Sequence, residues 1–177
     1  DGRTRGQPSD IYTVPYGDRG GGAARPLPGA SEAGYSEYYP AFSPGDRLLA
    51  FNRVLAGTNT YHEPSAEIFV VPAAGGAPIR VAGNRPAACG GQRSPGLTNS
   101  WPRWAPSATR IGDRRYYWLV FSSTRRGLAP QLFISGVVTE IDGEAERLWK
   151  TYPAVYLSGQ SPFDGNHTPT WTGAGED

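Results

Sequence analysis

Apolar positions along this chain gather in short runs of four to seven residues, the length of strands rather than of helices. Asp10-Ile11-Tyr12-Thr13-Val14-Pro15, Leu48-Leu49-Ala50-Phe51-Asn52-Arg53, Glu67-Ile68-Phe69-Val70-Val71-Pro72, Trp118-Leu119-Val120-Phe121-Ser122-Ser123 and Gln131-Leu132-Phe133-Ile134-Ser135 are rich in aromatic and β-branched side chains. They are bounded by Gly, Pro, Asn or Asp, as strands of an antiparallel sheet are. No segment keeps a helical period over a dozen residues. Glu144-Ala145-Glu146-Arg147-Leu148 is the one stretch that suits a helical turn. The run from Gly136 to Asp142 before it instead predicts a hairpin, turning at Asp142-Gly143 and returning through Arg147-Leu148-Trp149.

These elements recur in order. Tyr39-Pro40-Ala41-Phe42-Ser43-Pro44 returns as Trp101-Pro102-Arg103-Trp104-Ala105-Pro106 and, shortened, as Thr168-Pro169-Thr170-Trp171. The strand at 10–15 returns at 67–72 and 131–135, and the strand at 48–53 returns at 118–123. Gly75-Gly76-Ala77-Pro78-Ile79-Arg80-Val81 is foreshadowed by Gly20-Gly21-Gly22-Ala23-Ala24-Arg25-Pro26-Leu27. Four strand-like elements in a fixed order describe a propeller blade. A β-sandwich with strands of similar composition is the alternative, and the constant order of the four elements argues against it.

Pro40-Ala41-Phe42-Ser43-Pro44-Gly45-Asp46, followed by Leu48-Leu49-Ala50-Phe51, Glu67-Ile68-Phe69-Val70-Val71 and the Gly75-Gly76 turn, resembles the TolB-type propeller repeat. The resemblance spans roughly residues 10 to 172. It departs at Pro44-Gly45-Asp46, where the family usually has Pro-Asp-Gly, and at Pro106-Ser107-Ala108, where the turn pair is lost. It implies an all-β β-propeller segment of four-stranded antiparallel blades. The divisions are strands 3–4 of a first blade at 10–29, a second blade at 36–83, a third at 98–158, and the first strand of a next blade at 166–172. It also implies a bacterial periplasmic or otherwise extracytoplasmic protein. Repeats of this family occur in Pal-associated proteins, in peptidase propellers and in other secreted proteins, so the motif specifies architecture more than activity.

The phase of the repeat carries a further expectation. Closed propellers need about four blades or more, and an arc of two full blades with partial blades at each end leaves two apolar faces to be covered. The remainder of the propeller is therefore expected from more of the same polypeptide or from another protein.

Composition narrows the partners. Seventeen Lys+Arg against 16 Asp+Glu give a net charge of +1, which supplies no field for nucleic acid or an anionic membrane. No window holds the roughly 18 consecutive apolar residues of a membrane span. Cys89 is the sole cysteine and makes no internal disulfide. There is no Gly-x-Ser-x-Gly elbow and no His-Glu-x-x-His, so the chain itself is expected to be non-catalytic, with no cofactor and no metal.

In a propeller the first strand of each blade lines the central channel. That places Glu37, Tyr38, Tyr39, Asn99, Trp101, Arg103, Asn166 and His167 at or near one mouth as the candidate binding residues. Aromatic faces beside amides and an imidazole suit a protein surface, a peptide or a glycan. The insertions at 54–66, 83–99 and 107–115 are expected as loops at blade edges, where a rigid scaffold commonly carries function. The resulting expectation is a protein-binding or scaffolding module in an extracytoplasmic, membrane-associated complex. The alternatives are the gating propeller of a larger hydrolase and a carbohydrate-binding propeller.

Overall fold

The computed structural model describes residues 8–17, 19–86, 96–126, 129–161 and 163–172. Cys89 and most of the insertion expected at 83–99 lie outside the described residues. Among the described residues regular structure is β throughout, apart from a 3-10 turn at Ala82–Asn84. In chain order the strands are β1 (Tyr12–Thr13), β2 (Tyr16–Gly17), β3 (Gly20–Gly21), β4 (Arg25–Pro26), β5 (Tyr35–Phe42), β6 (Leu48–Leu55), β7 (Glu67–Pro72) and β8 (Ile79–Arg80). They continue as β9 (Ser100–Trp104), β10 (Thr109–Ile111), β11 (Arg114–Ser123), β12 (Gln131–Asp142), β13 (Ala145–Thr151) and β14 (Val155–Tyr156).

Every pairing is antiparallel. β1 pairs with β4 around the small β2–β3 hairpin. The first large sheet runs β5-β6-β7-β8 in chain order. The second runs β9-β11-β12, with β14 and β13 both pairing β12 along different stretches. The hairpin expected after Gly136 is present as β12–β13, with Gly143 in the left-handed region at φ 60°, where glycine carries no Cβ penalty.

The segment expected as a loop at 107–115 instead adds sheet: β10 pairs with the start of β11. Its anchor is Glu146, whose carboxylate accepts from Arg115, from the Tyr117 hydroxyl at 2.7 Å and from Thr139 Oγ1 at 2.6 Å. Arg47, in the turn between β5 and β6, reaches the same carboxylate at 3.3 Å. Burial, and then the bond to Glu146, push the Tyr117 hydroxyl up to about 12.

The two large sheets pack face to face. Leu48, Ala50, Ile68, Val70 and Val81 of the first share one core with Trp104, Tyr117, Leu119, Phe121, Phe133 and Val137 of the second. On its other side the first sheet buries Leu49, Phe51 and Val71 against Ile11, Leu27 and Ala30 of the N-terminal segment. A strand covered on both faces has no polar side to show, which explains the unbroken apolar run Leu48-Leu49-Ala50-Phe51. The N-terminal contact is close. Gly29 sits at φ +83°, and a Cβ there would come within 2.0 Å of the Gly76 carbonyl oxygen.

Candidate functional site

β5 and β9, the first strands of the two sheets, carry the same irregularity. The pairing of β5 with β6 shifts between Tyr38 and Ala41, and that of β9 with β11 shifts between Val120 and Ser122. In each strand the residue before the repeat's proline takes a left-handed backbone, Tyr39 at φ 54° and Trp101 at φ 56°. Such conformations cost about 1–3 kcal/mol for a non-glycine residue, and here they bring two rings together. Tyr39 stacks on Trp101 with centroids 3.8 Å apart and planes 16° from parallel, and Tyr38 meets Tyr39 edge-on at 4.7 Å. Burial, followed by the nearby Tyr61, raises the Tyr39 hydroxyl above its ordinary value.

The loop between β6 and β7 crosses to this end. Tyr61 and His62 reach His167, with His62 edge-on to it at 4.4 Å and Tyr61 stacked at 6.4 Å. His62 (φ 52°) and Thr98 (φ 50°) are also left-handed, so four of the six such non-glycine residues described gather around one end. Burial, and then the charge of His62, lower the His167 pKa. The crevice between Tyr61, His62, Thr98, Trp101 and His167 holds about 10 Å³, room for no more than one water molecule. The cluster is therefore a surface plate rather than a small-molecule pocket.

The remaining candidates turn inward or serve as backbone anchors. Glu37 is buried and pairs with Arg53 at 2.9 Å; burial raises its pKa against the lowering effect of Arg53. Asn99 is buried, accepts from Arg125 at 2.8 Å and donates to Asn84. Tyr38 packs with Val54 and Ala66. The Asn166 amide N–H donates to the Pro130 carbonyl at 2.9 Å. Arg103 contributes its main chain, accepting from the Trp171 indole at 3.3 Å.

These inward groups form bonds that repeat from unit to unit. The Trp104 indole donates to the Ala41 carbonyl at 2.9 Å, and Trp171 donates to Arg103, which holds the place of Ala41 in the next repeat. The Arg53 guanidinium lies over Phe51 and Phe69 and donates to the Gly29 carbonyl at 2.9 Å. Arg125 lies over Phe121 and Phe133 and donates to the Gly83 carbonyl at 2.7 Å. Burial pushes Arg125 down to about 10, and carbonyl and amide acceptors compensate the buried charge.

A third device clamps the strand that follows each large loop. The amides of Leu27, Val81 and Leu157 donate to the carbonyls of Ile11, Ile68 and Leu132. Three residues further on, the Asn84 side chain both accepts from and donates to the main chain of Ile68, each at 2.8 Å. Gln160 does the same for Leu132, at 2.6 and 2.9 Å. Sequence reasoning missed Tyr61, Asn84, Arg125 and Gln160. The only signal for the amides was their constant offset from an apolar residue ending the fourth strand.

Among the described residues no group of three or more His, Cys, Asp or Glu side chains is placed to hold a metal ion. No helix there is long and apolar enough to cross a membrane. Comparison with protein-family models, curated proteins and solved structures gives no match.

Proposed function

We propose that the two large sheets are successive blades of a TolB-like propeller. On this reading the chain acts as a non-catalytic protein-binding module in an extracytoplasmic bacterial complex, docking its partner on the plate formed by Tyr39, Tyr61, His62, Trp101 and His167. The blade reading is supported by bonds that recur from unit to unit: indole to carbonyl and amide side chain to strand at matching positions, and guanidinium to glycine carbonyl from arginines two residues apart in register. The compartment comes from the motif resemblance.

The observation that carries the binding reading is the concentration of left-handed non-glycine residues at one end. Their strain is spent on holding aromatic rings, and such strain gathers where a surface has a task. A 10 Å³ crevice favours a macromolecular partner over a small ligand. Tyr, Trp and His present apolar area with a polar edge, a common composition of protein-binding hot spots.

The test is affinity capture from membranes of the native source, with wild-type protein and the double variant Trp101→Ala/His167→Ala. The reading predicts a stoichiometric complex whose affinity the double variant weakens at least about tenfold while its circular dichroism is unchanged. Recovery of no stoichiometric partner, or equal affinity for both proteins, contradicts it.

A further inference from the structure

The side of the second sheet turned away from the first is apolar and open. A groove of about 430 Å³ runs across it, lined by Tyr116, Trp118, Ile134, Val138, Tyr152 and Val155. Trp118 is 47% exposed and Val155 64%, unusual for large side chains grouped on one sheet face.

The register of the two sheets identifies what belongs there. In the first sheet Leu49 and Phe51 face back to the N-terminal segment, while Leu48, Ala50, Ile68, Val70 and Val81 face forward into the second sheet. In the second sheet Leu119 and Phe121, the equivalents of Leu49 and Phe51, face back into the shared core. The forward equivalents are Trp118, Val120, Leu132, Ile134 and Leu157, and Trp118 and Ile134 line the groove. The interface that buries the first sheet's forward face therefore has a second copy that is only partly covered: Val120 is buried, Leu132, Ile134 and Leu157 are half-buried, and Trp118 is exposed. Its covering has already begun, since Trp171 bonds to Arg103 as Trp104 bonds to Ala41.

We propose that the groove is covered by a further four-stranded antiparallel unit of the same repeat, continuous with residues 167–172. Its facing surface carries a Leu-x-Phe pair on the second strand and a Phe on the third. An arginine laid on those two Phe rings donates to the carbonyl of Gly159, which stands two residues after Leu157 as Gly29 and Gly83 stand after Leu27 and Val81. A second copy of this chain fits the face less well. The N-terminal segment it would present pairs only through the two-residue strands β1 and β4, and its large exposed side chains are Tyr12, Val14 and Tyr16. The inference rests on the repeat-unit part of the function proposed above and is independent of the partner-binding part.

The test uses the protein as its whole gene encodes it, with Val155→Cys or Glu144→Cys introduced separately. Both positions are exposed here, so either substitution is compatible with folding. Alkylation rates are read peptide by peptide by mass spectrometry, which separates these sites from Cys89. Val155→Cys is expected to label at least about 100-fold more slowly than Glu144→Cys, as a side chain reached only through sub-global opening does. Equal rates at every protein concentration overturn the proposal. Protection that grows with protein concentration identifies a second copy as the occupant and overturns it as well. Partner capture by the Trp101 surface is a separate readout, so failure of one reading is distinguishable from failure of the other.

Discussion

Replacing Asn84 by alanine tests the repeated clamp at its most buried point. The side chain is fully buried and makes two 2.8 Å bonds to the main chain of Ile68, one donated and one accepted. Truncation leaves the Ile68 N–H without an acceptor at a position closed to water, which costs about 1–3 kcal/mol. The Ile68 carbonyl keeps the Val81 N–H at 3.0 Å, so its loss is smaller. Asn99 loses a donated bond of 3.3 Å, adding about 0.5 kcal/mol or slightly more. The expected total is about 2–4 kcal/mol, a fall in Tm of about 4–16 °C for a chain of this size. Urea unfolding should show a lower midpoint at unchanged slope. Gln160→Ala removes the same pair of bonds from Leu132, but both residues are half-buried and water replaces part of the loss, so about 1 kcal/mol is expected. A loss below about 0.5 kcal/mol for Asn84→Ala, or equal losses at both sites, would refute the reasoning.

Three further outcomes follow from the geometry. Trp104→Phe, which keeps one six-membered ring but loses the pyrrole part and its donor to the Ala41 carbonyl, should cost about 1–3 kcal/mol, against about 3–5 kcal/mol for Trp104→Ala, both read by urea unfolding. Gly29→Ala combines left-handed strain of about 1–2 kcal/mol with a Cβ driven onto the Gly76 carbonyl, a crowding cost of about 1–3 kcal/mol; calorimetry should show a loss larger than either part alone. Because the folded state lowers the His167 pKa, the unfolded chain takes the proton first, and stability should fall as pH drops from above about 6.5 to the lowered folded value. Calorimetric Tm across pH 5–8 should show His167→Gln to be flatter than wild type in that window.

The strands were legible because each is a short apolar run punctuated by Gly, Pro, Asn or Asp, and their order was legible because the runs return in phase. The β12–β13 hairpin could be read from Asp142-Gly143. The extension at 109–117 could not, because Glu146, the carboxylate that Arg115 and Tyr117 bond, lies about thirty positions away and meets them only once the sheet has formed. Tyr39, Trp101 and His167 do meet at one end, joined by Tyr61 and His62 from a loop whose path no local pattern encodes. Glu37 and Asn99 share the candidate segments with those rings yet turn inward, since Arg53 and Arg125 offer them partners across the sheet. Those two arginines play one role from positions that do not align: Arg53 aligns with Ser123, and Arg125 lies two residues further on. The clamp was hidden similarly, because the β12–β13 hairpin lengthens the path to Gln160 relative to that to Asn84.

An experimental structure of the protein as its whole gene encodes it decides between a propeller arc and a self-contained pair of sheets. Residues 35–80 and 100–156 are expected as successive four-stranded units around a common axis, with Tyr39, Trp101 and Thr168 ringing that axis and a further sheet seated on Trp118 and Val155. A two-sheet sandwich complete in itself, with the face bearing Trp118 and Val155 bare to solvent, would contradict the propeller reading.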